Sequence, residues 1–493
     1  MTSVLESTTT QLDAKITRLA REYRPLAVQI LKEAIRIPAD HLDEDPKCGL
    51  SGHELPRLEY LQRTIIEVGA VEGPEDVWLD PFGNLVWVVQ DAGDGVSAEE
   101  KKVVMFDGHT DTVNALRERW HEAIGGGIDP YYGWVDGTKV DREFLSKELG
   151  YLPPERDWEY LVWGRGAADQ LSGVVSQIVA TKILRECRAE GALRGVIVRS
   201  YGTVSEEDND GGSPMYLVRE EYPNASVDKI PDAVIITEGT GCAQLGPVGL
   251  YRGQRGRMQI EVEVTGKSCH GSMPWEGRNP LEYGAAIIVE ASRSVNFAHD
   301  DFLGSGTRTA SWATLATPSD CAVPERFTFR FDRRLTVGED TDVALDEVRS
   351  LPSVAKAVAD GLRVDVRAPL YTDATWRGYR LNNPQIYPGW ITPEDHPVVT
   401  AGVDTFRRVT SRDPRLARWI FSTDGVGFPT KSFTPPASKR WIRDGAYAWP
   451  PMLGIGPGIE QNTHKIGECV DSREFVPVVA FLARFPSRLV GVK

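Results

Sequence analysis

Four short segments of this sequence end in groups that can hold a cation or move a proton. They are Asp107-Gly108-His109-Thr110-Asp111, Gly164-Arg165-Gly166-Ala167-Ala168-Asp169, Ser205-Glu206-Glu207-Asp208 and Thr237-Glu238-Gly239. Each follows a short apolar run that reads as a strand. Taken singly they are ordinary, since a lone His-x-Asp or Glu-Glu is usually a solvated surface pair. Four strands that deliver carboxylate or imidazole to one place are not ordinary. Packed together without cations, such groups repel and push one another's pKa values upward. Imidazole with several carboxylates suits zinc, and cobalt, manganese or nickel also match the set.

Other chemistries lack their motifs. The stretch Gly164-x-Gly166-x-x-Asp169 has the outline of a dinucleotide loop, but its last position is a carboxylate that would repel a pyrophosphate. The sequence contains no Gly-x-Ser-x-Gly elbow, His-Glu-x-x-His helix or Walker loop.

The elements around these residues explain how they could converge. Apolar residues recur at helical spacing from Leu12 to Ile35, and a second helix is expected over Pro56–Val68. Strands are expected at Leu85–Val89, Val103–Phe106, Gly195–Tyr201 and Ala233–Thr237, with a helix at Leu171–Cys187. That alternation points to an α/β fold with a mainly parallel sheet, whose strand ends share one ligand-binding edge. After Gly249 the pattern changes to β-α-β-β-α-β, the split-βαβ order of a small α+β domain. At about Pro397 the α/β pattern resumes, with strands at Trp419–Phe421 and Met452–Ile455 and a last helix at Ser472–Phe485. The expected organisation is therefore a catalytic domain of residues 1–250 and 375–493, interrupted by an inserted domain of residues 251–374. Two stretches, Ala123–Glu159 and Phe428–Pro450, read as long loops.

Composition narrows the function further. The 493 residues carry 71 acidic and 56 basic side chains, a net charge of −15, which argues against a nucleic-acid partner. No run reaches the roughly 18 apolar residues of a membrane helix, and Met1–Asp13 lacks the pattern of a signal peptide. Six scattered cysteines without a CxxC pair are expected to be free thiols, and the expected location is cytoplasmic.

The segments Phe106–Val113, Gly164–Asp169 and Glu206-Glu207 together resemble the M20 family of metallopeptidases and N-acyl amino acid deacylases. The stretches Tyr251–Arg257, Cys269–Ser272 and Asp332–Leu335 look most like its YgeY-type, selenium-metabolism-linked hydrolases. The resemblance implies two divalent metal ions. His109 would bind one, with Asp111 orienting its imidazole; Asp169 would bridge both; Glu207 and His464 would complete one site, and Glu238 the other. Glu206 would be the general base that deprotonates the attacking water and then protonates the leaving amine. The inserted domain would be a lid that also forms a homodimer or larger homo-oligomer. From it His270 would reach the partner's site to stabilise an oxyanion, and Arg334 would grip a substrate carboxylate. Arg333, next to it, would face the other side of the strand. Asp424 and Gly425 match a turn beside the substrate.

Departures from the family bear on specificity. Where many relatives carry Asn-x-x-Pro in the lid, this chain has Cys321-Ala322-Val323-Pro324. The expected substrate is a small N-acylated or N-carbamoyl amino acid with a free carboxylate. A di- or carboxypeptidase of the same fold is the alternative within enzymes, and a metal-stabilised binding protein without activity is the alternative outside them.

Overall fold

The strand Lys102–His109, whose apolar run is Val103–Phe106, is buried along nearly its whole length and pairs in parallel with Val196–Thr203 on one side and Ala233–Ile236 on the other. A strand covered on both faces needs such a continuous apolar run. Around it the computed structural model, which describes residues 10–42, 52–294 and 297–492, builds a nine-stranded mixed sheet. Met452–Gly454 continues the parallel core beside Ala233–Ile236, while Leu85–Gln90, Val77–Leu79 and Trp390–Ile391 add antiparallel strands toward the edges. The strand expected at Trp419–Phe421 lies instead at Leu416–Trp419, parallel to Leu250–Gln254.

Helix Phe475–Leu489 packs against both Leu171–Glu186 and Pro397–Thr410, and all three lie on the sheet. Leu171–Glu186 is buried on almost every side, which explains its low polarity all round. The helical span expected from Leu12 to Ile35 is two helices, Gln11–Glu22 and Arg24–Ile35, divided at Tyr23. Pro25 causes the break, because its missing N–H is tolerated only in a first helical turn.

The inserted domain is a separate antiparallel sheet in the order Thr307–Ala316, Arg326–Leu335, Gly256–Thr265, Arg363–Arg367. Met258, Ile260, Val262 and Val264 face Phe329, Phe331, Ile287 and Val348 in its own core. Helices Pro280–Arg293, Thr341–Arg349 and Pro352–Ala359 give the order β-α-β-β-α-α-β, one helix more than the expected β-α-β-β-α-β. The short strand Ile386–Tyr387 joins this sheet beyond residue 374, pairing with Met258 and Arg257.

Neither long stretch is an irregular loop. Residues 123–159 contain the helix Arg142–Leu149 and a short 3₁₀ segment, Glu155–Tyr160. With Trp120 and Trp163 they build a satellite core of Ile124, Ile128, Leu145, Leu149 and Trp158 that also takes in Ile466 and Cys469. Residues 428–450 form the hairpin Ile442–Asp444 with Tyr447–Trp449, and Lys439 is tied to Asp232 at 2.6 Å. The five described cysteines are free thiols, and Cys48 lies outside the described residues.

Candidate metal centre

Three neighbouring parallel strands bring their carboxyl ends to one edge. His109 closes Lys102–His109, Glu206 and Glu207 follow Val196–Thr203, and Glu238 follows Ala233–Ile236. Asp169 arrives by a different route from the one expected. Its preceding strand, Leu161–Trp163, stays out of the main sheet and pairs antiparallel with Cys469–Asp471, the strand that follows His464. One two-stranded ribbon thus carries both Asp169 and His464 to the sheet edge. Gly166 makes the turn before Asp169 at φ +85°, where a side chain would run into Thr112 and Leu171. The glycines therefore serve close packing.

His109 Nε2 lies 2.9 Å from Asp169 Oδ1, 3.6 Å from Glu238 Oε2 and 3.8 Å from Glu206 Oε2. His464 Nε2 lies 3.1 Å from Asp169 Oδ2 and 3.0 Å from Glu207 Oε2. Asp169 therefore offers one oxygen to each of two triads, His109–Asp169–Glu238 and Asp169–Glu207–His464. Two ligand atoms, each about 2.1 Å from one zinc ion, can be at most about 4.2 Å apart. All four ligand pairs given above meet that limit.

The remaining lone pairs are held by amides, as orienting contacts around a metal site require. Glu238 Oε1 accepts the Gly239 amide and Oε2 accepts Gln170 Nε2; Glu207 Oε1 accepts the Val113 amide. Asp111 ties two ligands together. Its backbone carbonyl lies 3.1 Å from His109 Nδ1, and its Oδ2 accepts the Glu207 amide at 3.0 Å. Behind them the fully buried Arg57 donates to the carbonyls of Ala34, Ile37 and Thr110. Ser205 (φ +60°) and His464 (φ +61°) both hold left-handed backbone that non-glycine residues rarely adopt, a strain concentrated at functional sites.

Electrostatics mark the same cluster. Burial pushes the Glu206 carboxyl well above the usual range, helped by the charge of Glu207, and burial with the charge of Asp169 brings Glu238 to about 7. The Glu207 carboxylate holds His464 protonated up to about pH 11. Ions between these groups would remove both the repulsion and the protons, so the donor set fits divalent metal.

The triads open into a cavity of about 350 Å³ whose lining includes Glu206, Asp210, Arg257, Arg334, Phe421 and Ser422. Arg334 Nε donates to Asp332 Oδ1 at 2.7 Å and Nη1 to Ser422 at 3.1 Å. Arg333 points to the opposite face, fully buried against Glu339, as strand alternation requires. Directly across the sheet from Arg334 stands Arg257, also in the cavity wall and paired with Asp210 and Asp332. Like charges at facing positions destabilise a sheet unless compensated, so the two aspartates are part of the wall. In the sequence Arg257 is marked only by its place on the polar side of the alternating strand Gly256–Thr265; its register with Arg334 is what puts it in the wall.

Two expected substrate residues lie elsewhere. Asp424 is fully buried behind the cavity, accepting Thr203 Oγ1 at 2.6 Å, and Gly425 is packed against Ile236, Gln254 and Trp390. A polar residue in a buried turn is needed to satisfy its neighbours, which is how Asp424 is used. His270 is exposed on the lid, takes the Ser272 amide on Nδ1 at 3.1 Å, and does not line its own chain's cavity. Nor does any residue of 428–450.

Comparison with known proteins places these features in context. Residues 252–358 match the peptidase dimerisation domain of the M20 group. Over 473 residues the chain is 30% identical to the uncharacterized protein YgeY of Escherichia coli (strain K12), covering 96% of each. It is 25% identical over 267 residues to a succinyl-diaminopimelate desuccinylase of Cupriavidus taiwanensis, covering 54% of this chain and 59% of that one. The fold is similar to that of the di-peptidase Dug1p from Saccharomyces cerevisiae, with a TM-score of 0.63 at 13% identity over 97% of this chain and 98% of that one. Among the described residues, no helix is long and apolar enough to cross a membrane.

Proposed function

Because this chain belongs to the M20 family of metallohydrolases, and is thus a metal-dependent enzyme acting on amide bonds, we propose that it hydrolyses a small N-acylated or N-carbamoyl amino acid. Two divalent ions, zinc first among them, would be held by His109, Asp169 and Glu238 and by Asp169, Glu207 and His464. When bound, they would lower the pKa of water and polarise the scissile carbonyl.

The observation that carries the reading is the state of Glu206. It faces the cavity next to both triads and is 9% exposed, and among the described residues no amide donates to its carboxylate, whereas Glu207 and Glu238 each accept one. A carboxylate there that belongs to neither triad is placed to take a proton from the attacking water and return it to the leaving nitrogen. Arg334, fixed by Asp332 and Ser422, keeps N–H groups for a substrate carboxylate. Replacing it (Arg334→Ala) should raise KM by roughly 10–100-fold, the worth of a charge-assisted hydrogen bond of about 1.5–3 kcal/mol, with a smaller change in kcat. Steady-state kinetics on an N-acyl amino acid would show this, and an unchanged KM would remove Arg334 from the carboxylate site.

The lid supports assembly into a homodimer. Its edge strand Thr307–Ala316 is exposed along most of its length, with Trp312 and Leu315 at 46% and 40% exposure. In such a dimer the partner subunit's His270 would complete each site and stabilise the oxyanion. A mixing experiment follows. Glu206→Gln and His270→Ala proteins, each nearly inactive alone, should regain activity when dissociated and reassembled together, with about a quarter of sites intact at equal mixing. No recovery, with heterodimers demonstrated by mass, would make His270 a residue of its own chain's lid only.

A dipeptide presents the same carboxylate as an acyl amino acid. Purified protein assayed against N-acyl, N-carbamoyl and dipeptide substrates decides between them; turnover of dipeptides alone would displace the deacylase reading.

A further inference from the structure

The segments that carry Asp169 and His464 are fastened together by one fully buried side chain, Glu468, four residues beyond His464. Its Oε1 accepts two successive backbone amides, those of Ala168 at 2.9 Å and Asp169 at 3.0 Å. Its Oε2 accepts Arg165 Nη1 at 2.6 Å, and its backbone carbonyl accepts the Gly164 amide at 3.0 Å. Arg165 is itself buried and lies over the Trp120 ring of the satellite core. A second tie comes from the same direction. Tyr151 donates to Asn462 Oδ1 at 2.7 Å, and Lys465 donates to the Glu148 carbonyl at 2.6 Å, flanking His464 on both sides.

Asp169 is the residue that belongs to both triads, so its backbone must be set for each oxygen to meet its own histidine. A carboxylate that accepts two consecutive amides fixes the intervening peptide plane and with it the direction of the Asp169 side chain. A buried ion pair is weak grounds for stability, because apolar replacements of similar volume often do as well. What apolar residues cannot do is hold those two amides. We infer that Glu468 is a positioning residue, which orients Asp169 through its backbone so that one carboxylate spans both ion sites. The inference rests on the two-ion reading above. Residues one step outside a metal's ligands typically contribute 10–100-fold to its affinity.

The test titrates Zn²⁺ into the ion-stripped full chain against a chromophoric chelator and records the ion-free melting temperature beside it. The variant Arg165→Met with Glu468→Met removes the charges and the amide acceptor together. It is expected to weaken the less tightly held ion by about 10–100-fold. Arg165→Met with Glu468→Gln returns a neutral acceptor oxygen to the amides and should recover part of that loss. Asp13→Asn breaks a remote buried pair with Arg484, so it should lower the melting temperature and leave zinc affinity at the wild-type value. Wild-type zinc affinity in the double methionine variant would overturn the inference, as would an equal loss of affinity in Asp13→Asn. Should the methionine variant not fold, the glutamine variant set against Asp13→Asn decides by the same comparison. A wild-type protein that binds one ion would instead sink the two-ion reading, and Glu468 would then be judged on the affinity of that single ion.

Discussion

Glu206→Gln is expected to lower kcat by roughly 10²–10⁴-fold while leaving the bound ions in place, the range by which a positioned base accelerates proton transfer. The substitution is nearly isosteric and removes only the ability to accept and return a proton. Because Glu206 belongs to neither triad of His109, Asp169, Glu207, Glu238 and His464, metal content measured by elemental analysis should match that of the unaltered protein. KM should change little, since Arg334 lies on the lid strand and Glu206 at the sheet edge. A Glu206→Gln protein that turns over an amide substrate at the original rate would remove Glu206 from the reaction. One that loses its metal as well would make it a ligand.

Removing the ions with a chelator should abolish activity and destabilise the fold together. An ion at a thousandfold excess over its Kd stabilises the protein that binds it by about 4 kcal/mol. Stripping should therefore lower Tm by several degrees, and zinc should restore both Tm and turnover. Proton linkage gives the sign of the pH dependence. In the ion-free protein His464 stays protonated up to about pH 11, chiefly through the Glu207 charge, and burial keeps Glu238 protonated up to about pH 7. Ligation needs both groups without their protons, so ion binding expels protons and weakens as pH falls. Calorimetry in two buffers of different ionisation enthalpy measures that release. Zinc affinity that rises on acidification, or full activity in stripped protein, would contradict the assignment.

Much of the sheet edge is legible in the sequence, for a physical reason. The apolar runs Val103–Phe106, Val196–Val198 and Ala233–Ile236 mark buried parallel strands, so the acids and imidazole within a few residues of where these strands end, His109, Glu206, Glu207 and Glu238, gather at the carboxyl edge. Asp169 reaches the edge by a route the sequence does not show, because a three-residue strand carries no mark of which sheet it joins. His464 has no local signature; its backbone is held by Tyr151 and Lys465 contacts spanning about three hundred residues. The satellite core around Trp120, Trp158 and Trp163 was invisible for a related reason, since its aromatics follow no helical or strand period. Asp424 shows the opposite case: in the sequence a polar residue in a glycine-containing turn looks the same whether it faces a site or, as its acceptor does here, serves Thr203 inside the wall. Arg257 escaped because a single strand shows which residues share a face but not which residue of another strand stands opposite.

The ribbon of Leu161–Trp163 with Cys469–Asp471 also governs when the site can exist. Its contacts join positions about three hundred apart, as in the bond from the Ala168 amide to Glu468. Pairings of such separation carry a large loop-closure cost and form late, after local helices and hairpins. While the chain is being synthesised, His109, Glu207 and Glu238 are made long before His464 and Glu468 emerge. The Asp169–Glu207–His464 triad and the anchor of Asp169 therefore close only after segments about three hundred residues apart have met. Of the two triads, the one that includes His464 is thereby the later to be assembled.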